Sequence, residues 1–279
     1  MRILLASFLA AAVVWAGDAK AQPALTFPAA TPESVGMTQA SLEALDAVVR
    51  GYIEKQEAVG AELMVIKDRK TVWHAAHGLK DIQTKAPMEI GGIFCVRSQT
   101  KPLVGTAVQI LIDEGKLSPD DHAAKFLPAF DTDSHRAITI QNLLEHRSGL
   151  PLSSLIGVDY KSLTSVQDVA GLAAKAKLQF EPGTAFNYSD DGTDTLAAIV
   201  EKVSGVPVAE FITARILTPV GMRDTACVLT KDDTRLAQVN SNHSGSTGSW
   251  VRFWAPSDGP LFRKPNTAPL ATVPSSSIT

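Results

Sequence analysis

The hydrophobic pattern of the chain changes at Ser98, and this change limits the folds that the chain can adopt. Before Ser98, β-prone runs at residues 61–67 and 71–76 are separated by the polar stretch Asp68-Arg69-Lys70, which is typical of an antiparallel hairpin. After Ser98, apolar residues recur at helical spacing to about residue 225. The sequence therefore predicts an α+β fold with an antiparallel sheet flanked by helices, about residues 38–97, and a mostly helical lobe, about residues 98–225.

Six helices are predicted by apolar residues that recur every three or four positions. The first, over residues 38–55, is expected to pack through one face formed by Leu42, Leu45, Val48, Val49 and Ile53. The others are predicted over residues 101–114, 140–146, 166–176, 193–204 and 208–217. Gly149, Gly205 and Gly221 each follow a helical stretch, where glycine is a common C-terminal cap.

The tetrad Ser98-Gln99-Thr100-Lys101 lies where a predicted strand, residues 93–96, passes into a predicted helix. Pro102 agrees with a helix that begins near Ser98, because the N–H that proline lacks would have no partner in the first turn. Lys101 then lies one turn from Ser98 on the same side of the helix. The tetrad alone leaves two interpretations open, a nucleophile with its base or a capping serine with a surface lysine.

The N-terminal residues predict export from the cytoplasm. Met1-Arg2, the apolar run 3–16 and the small-residue site Ala19-Lys20-Ala21 are typical of a signal peptide, residues 1–21, which predicts a secreted or periplasmic protein. The apolar run is shorter than the roughly 20 residues that span a bilayer, so no stable membrane anchor is expected after cleavage. Residues 22–240 are predicted to form one domain, and residues 241–279 an irregular tail.

Charge and residue spacing argue against several kinds of partner. The formal net charge is −3 and no Lys/Arg-rich run occurs, so nucleic acid is not an expected partner. The histidines and cysteines lack metal-binding spacing, and His74 and His77 fall on opposite faces of a predicted strand, so no metal or other cofactor is expected. Cys95 and Cys227 are too few for a disulfide framework, and whether they pair is left open.

A second polar feature is Phe186-Asn187-Tyr188-Ser189-Asp190, which follows the turn Glu181-Pro182-Gly183. A single tyrosine in such a loop usually packs its ring and hydrogen bonds its hydroxyl group. The alternative is a tyrosine that presents its hydroxyl group to a cleft, and a Ser-x-x-Lys pair in the same chain favours this alternative.

Four segments occur in the order and rough spacing of one family. They are Ser98-Gln99-Thr100-Lys101, Leu143-Leu144-Glu145-His146-Arg147-Ser148-Gly149-Leu150-Pro151, Pro182-Gly183-Thr184-Ala185-Phe186-Asn187-Tyr188-Ser189-Asp190 and Leu217-Thr218-Pro219-Val220-Gly221-Met222-Arg223-Asp224-Thr225. On these segments, about residues 31–228, the chain resembles the class C β-lactamase-like serine hydrolases. That family includes family VIII carboxylesterases and D-alanyl-D-alanine carboxypeptidases, and the resemblance implies a β-lactamase/transpeptidase-like fold.

The resemblance implies a role for each site residue. Ser98 attacks the carbonyl carbon of a small-molecule ester or amide and forms an acyl-enzyme, with its own N–H as one oxyanion donor. Lys101 and Tyr188 carry protons and titrate as a pair, and the Lys101 ammonium is expected to be destabilised by burial and by neighbouring positive potential. Asp190 is a supporting residue at a position where these β-lactamases usually carry asparagine, which favours an ester over a β-lactam.

The third motif of the family is not evident in the sequence. This motif is Lys-Thr-Gly, His-x-Gly or Trp-Gly-Gly on a returning strand much further beyond the tyrosine. His243-Ser244-Gly245 matches it in letters, but it lies only about 55 residues after Tyr188 in a segment with little strand character. We therefore expect the C-terminal sheet strands to be missing, an exposed sheet edge through which copies associate, and turnover that is weak or absent.

Three hypotheses about function follow. The leading one is a secreted serine ester hydrolase with at most slight activity on β-lactams. The second is a D-alanyl-D-alanine carboxypeptidase or penicillin-binding protein. The third, of another class, is a truncated and non-catalytic paralogue that keeps the fold and the motifs.

Overall fold

The computed structural model describes residues 27–158, 163–230 and 232–258. The predicted signal peptide lies outside these residues, as does the part of the predicted tail beyond residue 258. None of the helices in the described ranges combines the length and the apolar character that a membrane span requires.

The N-terminal part consists of one helix and a three-stranded antiparallel sheet. These elements are α1 (Gln39–Glu54), β1 (Gly60–Lys67), β2 (Lys70–Asp81) and β3 (Ala86–Pro87), with the strands in the order β1-β2-β3. The predicted hairpin is confirmed, and it closes through Asp68 and Arg69. Both turn residues have left-handed backbone, with φ of 52° and 59°, as a two-residue type I′ turn requires.

The helix α1 begins where the sequence predicts, because the Thr38 hydroxyl accepts the N–H of Ser41 at 3.2 Å. Its predicted apolar face is only partly buried: Leu42 is buried, whereas Leu45 and Val48 are exposed. The reason is a buried carboxylate, Asp46, which accepts a hydrogen bond from Trp73 Nε1 at 3.2 Å and contacts His77 Nε2 at 2.7 Å. The helix therefore meets β2 through a polar cluster that the apolar pattern did not predict.

The C-terminal half is mostly helical, and each predicted helix is present. Its helices are α2 (Thr100–Asp113), α3 (Ile140–Leu144), α4 (Val166–Ala173), α5 (Asp190–Ser204) and α6 (Val208–Ile212), and α6 continues into a π-helical turn (Thr213–Leu217). Short 3-10 turns at Pro32–Val35, Arg97–Gln99, Ala123–Lys125, Pro128–Phe130, Thr234–Gln238 and Pro256–Asp258 connect these elements. Thr139 and Ser165 begin α3 and α4 with capping boxes.

The helix α5 lies at the centre of the lobe. All of its residues from 191 to 200 are buried, and it packs against α2, α3 and α4. Gly205 ends it in the left-handed conformation, with φ of 76°, as predicted for a C-terminal cap. Because residues 191–200 of α5 are buried, the packing of the lobe fixes the first turn of this helix beside α2.

Two local predictions are wrong. Residues 93–96 do not form a strand, because Ile93 makes only one isolated parallel bridge, to Val239. The segment after residue 241, predicted to be irregular, contains a hairpin of β4 (Asn242–Ser246) and β5 (Ser249–Trp254). The alternation in Ser249–Trp254 is the strand signal, and it lies in a region whose Ser and Gly content suggests a loop.

The hairpin is tied to distant parts of the chain. Trp250 Nε1 donates to the carbonyl oxygen of Gln56 at 2.8 Å, and Arg252 donates to the buried carboxylate of Asp81 at 2.8 Å. Within the described residues β1 pairs on one side only, with β2, and Met64 and Ile66 of β1 are exposed. No disulfide joins Cys95 to Cys227.

Candidate active site

The structure brings Ser98 and Lys101 together at the start of α2. Ser98 lies in the 3-10 turn that leads into the helix, and Pro102 occupies the first helical turn, as predicted. Lys101 Nζ lies 3.2 Å from Ser98 Oγ. Arg97, the residue before Ser98, has left-handed backbone with φ of 50°, a conformation that few residues other than glycine adopt and that is frequent at functional sites.

Tyr188 and Asp190 reach the same place from the start of α5. Ser189, which lies between them, is the N-cap: its hydroxyl oxygen accepts the N–H of Gly192 at 3.0 Å, and the same hydroxyl donates to the carbonyl oxygen of Pro151 at 2.6 Å. Lys101 Nζ lies 4.5 Å from the centroid of the Tyr188 ring and 2.5 Å from Asp190 Oδ1. Tyr188 and Asp190, which lie 87 and 89 positions after Lys101 in the chain, thus contact its ammonium group.

The charge state of Lys101 differs from the one that the sequence suggests. Burial lowers the pKa of Lys101, but hydrogen bonds to Asp190 and Tyr188 outweigh it, so the net pKa is raised above that of an ordinary lysine. The expected destabilisation by neighbouring positive potential is wrong, because the nearest charge is the Asp190 carboxylate. At neutral pH the site therefore holds an ammonium–carboxylate pair.

His146 is a residue of the site to which sequence reasoning assigned no role. It follows α3, lines the cleft beside Ser98, and its Nδ1 accepts the N–H of Ser189 at 3.2 Å. Its ring lies 4.7 Å from the ring of Tyr188. Burial and then the charge of Lys101 lower the pKa of His146, against an opposing effect of Asp190, so its imidazole is neutral at neutral pH.

A cleft of about 410 Å³ lies between α2, α3 and α5, and its polar lining includes Ser98, Lys101, His146 and Tyr188. Its other lining residues are mostly apolar and comprise Pro102, Gly105, Leu143, Leu144, Thr193 and Leu196. A cleft of this kind combines a nucleophile at its mouth with apolar walls. The arrangement suits a small substrate that places a carbonyl group at Ser98 and an apolar group along α2.

His243 is engaged outside this cleft. It lies on β4, contrary to the expectation of little strand character, and its Nε2 accepts the N–H of Ile82 at 3.3 Å. His243 is not among the residues that line the cleft beside Ser98. The literal match of His243-Ser244-Gly245 to the third motif therefore gains no support from its contacts.

His74 and His77 on β2 each contact a carboxylate of a neighbouring element. His74 Nε2 lies 2.7 Å from Glu62 Oε1, and His77 contacts Asp46 from the opposite face of β2, as the strand period predicts. In the part of the chain that the structure describes, no group of three or more His, Cys, Asp or Glu side chains is arranged to hold a metal ion.

The fold and the site together define a class of protein. A helical lobe beside an antiparallel sheet, with a Ser-x-x-Lys pair at a helix start and a tyrosine against the lysine, is the arrangement that the resemblance of the four sequence segments implies. A sequence profile described as Beta-lactamase matches residues 45–259. The chain belongs to the serine β-lactamase/transpeptidase-like family.

Individual relatives agree with this assignment. The chain is 32% identical over 222 residues to Esterase EstB of Burkholderia gladioli, a match that covers 73% of this chain and 56% of the relative. It is 26% identical to Protein flp of Staphylococcus aureus (strain N315), covering 76% of this chain and 43% of that protein. The chain thus spans about half the length of the curated relatives that it matches.

Solved structures share the fold. EstCE1, described as a hydrolase with promiscuous acyltransferase activity, superposes with a TM-score of 0.68 at 25% identity, covering 78% of this chain and 60% of that chain. An octameric penicillin-binding protein homologue from Pyrococcus abyssi superposes with a TM-score of 0.67 at 22% identity, covering 85% and 53%. These likenesses confirm the predicted β-lactamase/transpeptidase-like α+β fold.

Proposed function

We propose that the protein is a serine hydrolase that cleaves small carboxylic esters through an acyl-enzyme on Ser98. The observation that carries this proposal is the 3.2 Å contact between Ser98 Oγ and Lys101 Nζ at the mouth of a mostly apolar cleft. The similarity to Esterase EstB supports an ester rather than a β-lactam as substrate.

The reaction begins from the Lys101 amine in its neutral form. Ser98 Oγ attacks the ester carbonyl carbon, its proton passes to Lys101, and the N–H of Ser98 at the helix start is one donor to the oxyanion. The bond from the carbonyl carbon to the alcohol oxygen then breaks, and Tyr188 delivers a proton to the leaving alcohol. Water attacks the Ser98 ester with the same groups acting in reverse, which releases the carboxylic acid and restores the serine.

Asp190 supports this site and also limits it. Its carboxylate holds the proton on Lys101, so the fraction of neutral amine is small at neutral pH and rises under alkaline conditions. We therefore propose an alkaline ester hydrolase with slow turnover at pH 7. Slight hydrolysis of β-lactams is a secondary activity of the same acylation chemistry.

The decisive experiment is intact-mass analysis after exposure to a fluorophosphonate. Wild-type protein should gain one phosphonate group, Ser98→Ala should gain none, and the exposed-serine control Ser257→Ala should react like the wild type. Hydrolysis of p-nitrophenyl acetate should disappear in Ser98→Ala and persist in Ser257→Ala. Absence of an adduct on Ser98 would refute catalysis by this chain and favour the non-catalytic alternative.

Penicillin separates the ester hydrolase from the peptidase alternative. A long-lived penicilloyl adduct on Ser98, together with weak ester turnover, would favour a D-alanyl-D-alanine carboxypeptidase or penicillin-binding protein. Rapid turnover of esters with slow cleavage of a chromogenic cephalosporin is the outcome that we expect.

Two further predictions concern export and association. We expect the signal peptide to be cleaved after residue 21, which N-terminal sequencing of exported protein tests. We also expect copies to associate through the free edge of β1, which light scattering tests.

A further inference from the structure

His146 holds the loop that carries Tyr188. The imidazole Nδ1 accepts the N–H of Ser189, and the backbone carbonyl of His146 accepts the N–H of Asn187 at 2.9 Å. Between these two anchored residues, the ring of Tyr188 packs on the imidazole with an interplanar angle of 38°. One histidine therefore fixes both neighbours of Tyr188 and one face of its ring.

The backbone of His146 adopts a left-handed conformation in this arrangement. Its φ is 56°, in the left-handed region that a non-glycine residue adopts only at some cost and where asparagine, aspartate and histidine are enriched. Phe186 packs edge-on against the same imidazole, with ring centroids 6.0 Å apart. Because side chains from the loop cover the ring on two sides, rotation of His146 would displace Tyr188.

The hydrogen bond to Ser189 fixes the protonation state of the imidazole. Since Nδ1 accepts a hydrogen bond, it carries no proton, and the single proton of the neutral ring lies on Nε2. A second proton would have to bind Nδ1, where it would face the N–H of Ser189 and break the bond. Protonation of the His146 imidazole is therefore incompatible with the hydrogen bond that holds the loop at Ser189.

The charged groups around His146 come from each element packed against it. Lys101 of α2 opposes a positive imidazole, and Asp190 at the start of α5 favours it. Tyr188 contributes its ring from the loop. On the segment of His146 itself, Glu145 accepts a hydrogen bond from Gln141 at 2.9 Å, and Arg147 donates to the carbonyl oxygen of Gly183. The pKa of His146 is lowered, mainly by burial.

We propose that neutral His146 is a positioning residue that holds Tyr188 in place for proton transfer, and that protonation of the imidazole releases Tyr188 and turns the site off. The inference rests on the proposed function, because it assigns Tyr188 a part in proton transfer. His146 itself exchanges no proton with the substrate, and it gains one from solvent only on acidification.

The kinetic test compares pH profiles of wild type, H146N and H122N with p-nitrophenyl acetate between about pH 5 and 8. Asparagine suits the left-handed backbone but lacks the ring. We expect H146N to lower kcat by at least about tenfold and by no more than the roughly 10² to 10⁴ that general acid–base catalysis contributes. KM should change little. In the wild type, kcat should fall on the acid limb more steeply than protonation of Lys101 alone requires, because His146 is protonated there as well, and H146N should lack this additional loss.

His122 is the matched control, since it is exposed and its Nδ1 contacts the carbonyl oxygen of Arg136 at 2.7 Å, away from the cleft. H122N should keep the wild-type profile. An H146N protein with the kcat and the acid limb of the wild type would overturn the proposal.

A second measurement needs neither turnover nor a folded variant. In wild-type protein with labelled histidine and tyrosine, the ring resonances of Tyr188 should shift with the same midpoint as the imidazole of His146, below the ordinary histidine pKa of about 6.5. Resonances of Tyr52 on α1 should not follow this titration. If the ring of Tyr188 does not respond, the inference is wrong even where esters are cleaved. If the resonances of Tyr188 follow the titration of His146 in a protein that cleaves no ester, only the proposed function is refuted.

Discussion

Lys101 and Asp190 form an ion pair, with Nζ and Oδ1 2.5 Å apart, directly beside the hydroxyl group of Ser98. The lysine side chain is only 10% exposed and the aspartate side chain 28%, so solvent screens this pair less than a surface pair. In the proposed mechanism, the pair therefore controls when the amine is free to accept the serine proton. This control makes the pH dependence of the reaction the most direct property to measure.

Asp190→Asn should move the activity of the enzyme towards neutral pH. The substitution removes the carboxylate that raises the pKa of Lys101 and leaves the burial that lowers it. A lower pKa increases the neutral fraction of the amine at pH 7, and kcat/KM there should rise relative to its alkaline plateau by about tenfold. The measurement is kcat/KM against pH for wild type, D190N and the exposed control D120N. An unchanged profile in D190N would show that Lys101 is not the titrating base.

Tyr188→Phe should show the contribution of the Tyr188 hydroxyl group separately from that of its ring. Phenylalanine keeps the ring against Lys101 and His146 but cannot carry a proton. We expect kcat to fall by about 10² to 10⁴ while the melting temperature stays near that of the wild type. Tyr52→Phe is the matched control, because Tyr52 is exposed on α1. Equal kcat in the two variants would remove Tyr188 from the proposed mechanism.

Asp81→Asn should destabilise the protein, and the loss should depend on pH. Asp81 accepts hydrogen bonds from Arg252 at 2.8 Å and from Ser241 Oγ at 2.7 Å. Burial raises the pKa of Asp81, but these bonds and the N–H groups of Gln83 and Thr84 outweigh it and hold the pKa well below its usual range. At pH 7 the variant should lose about 1.5 to 3 kcal/mol of unfolding free energy.

The sign of the pH effect follows from the lowered pKa. The stabilisation by Asp81 is fully present above the unfolded-state pKa of about 3.9 and is lost as the pH falls below it. Urea unfolding should therefore show a smaller difference between wild type and D81N at pH 3 than at pH 7. Asp133→Asn, whose side chain is fully exposed, should show almost no difference at either pH.

Gly149→Ala should damage the loop that follows His146. Gly149 has φ of 82°, and a Cβ atom there would lie 2.3 Å from the carbonyl oxygen of Phe180. Gly115 has a similar φ of 69°, but a Cβ atom there would meet no atom within 4 Å. Left-handed backbone alone costs alanine about 1 to 2 kcal/mol.

The difference between G149A and G115A in unfolding free energy isolates the steric clash, and G149A should be the less stable variant. It should also be less active, because this loop follows His146, which lines the cleft. Equal stability of the two variants would contradict this account.

The parts of the site that depend on local geometry could be predicted from the sequence. One helical turn places Lys101 beside Ser98, so the spacing of the two residues is enough to predict their contact. The helices of the lobe were predicted for the same reason, since their apolar spacing is a local signal. Tyr188 lies far along the chain, and no local spacing connects it with Ser98; the Ser-x-x-Lys pair favoured a role for it, and the resemblance to a family placed it in the same site.

The parts that depend on partners far apart in the chain were missed. The charge of Lys101 was misjudged because no pattern reveals which way the Asp190 carboxylate points. His146 acts through a backbone N–H group, which every residue except proline carries, so no residue type marks its partner. The hairpin β4–β5 was missed because its anchors, Gln56 and Asp81, belong to the first third of the chain.

The hydrogen bond from Trp250 to Gln56 spans 194 positions, and it makes the helical lobe a long loop whose ends are joined at the hairpin. Contacts between residues so far apart in the chain slow folding, because the chain loses the conformational entropy of closing the loop before the contacts stabilise the fold. The helices of the lobe need only local contacts, so we expect them to assemble first and the hairpin to dock last. During synthesis or refolding, the nucleophile would thus reach its final surroundings before the sheet side of the molecule is closed.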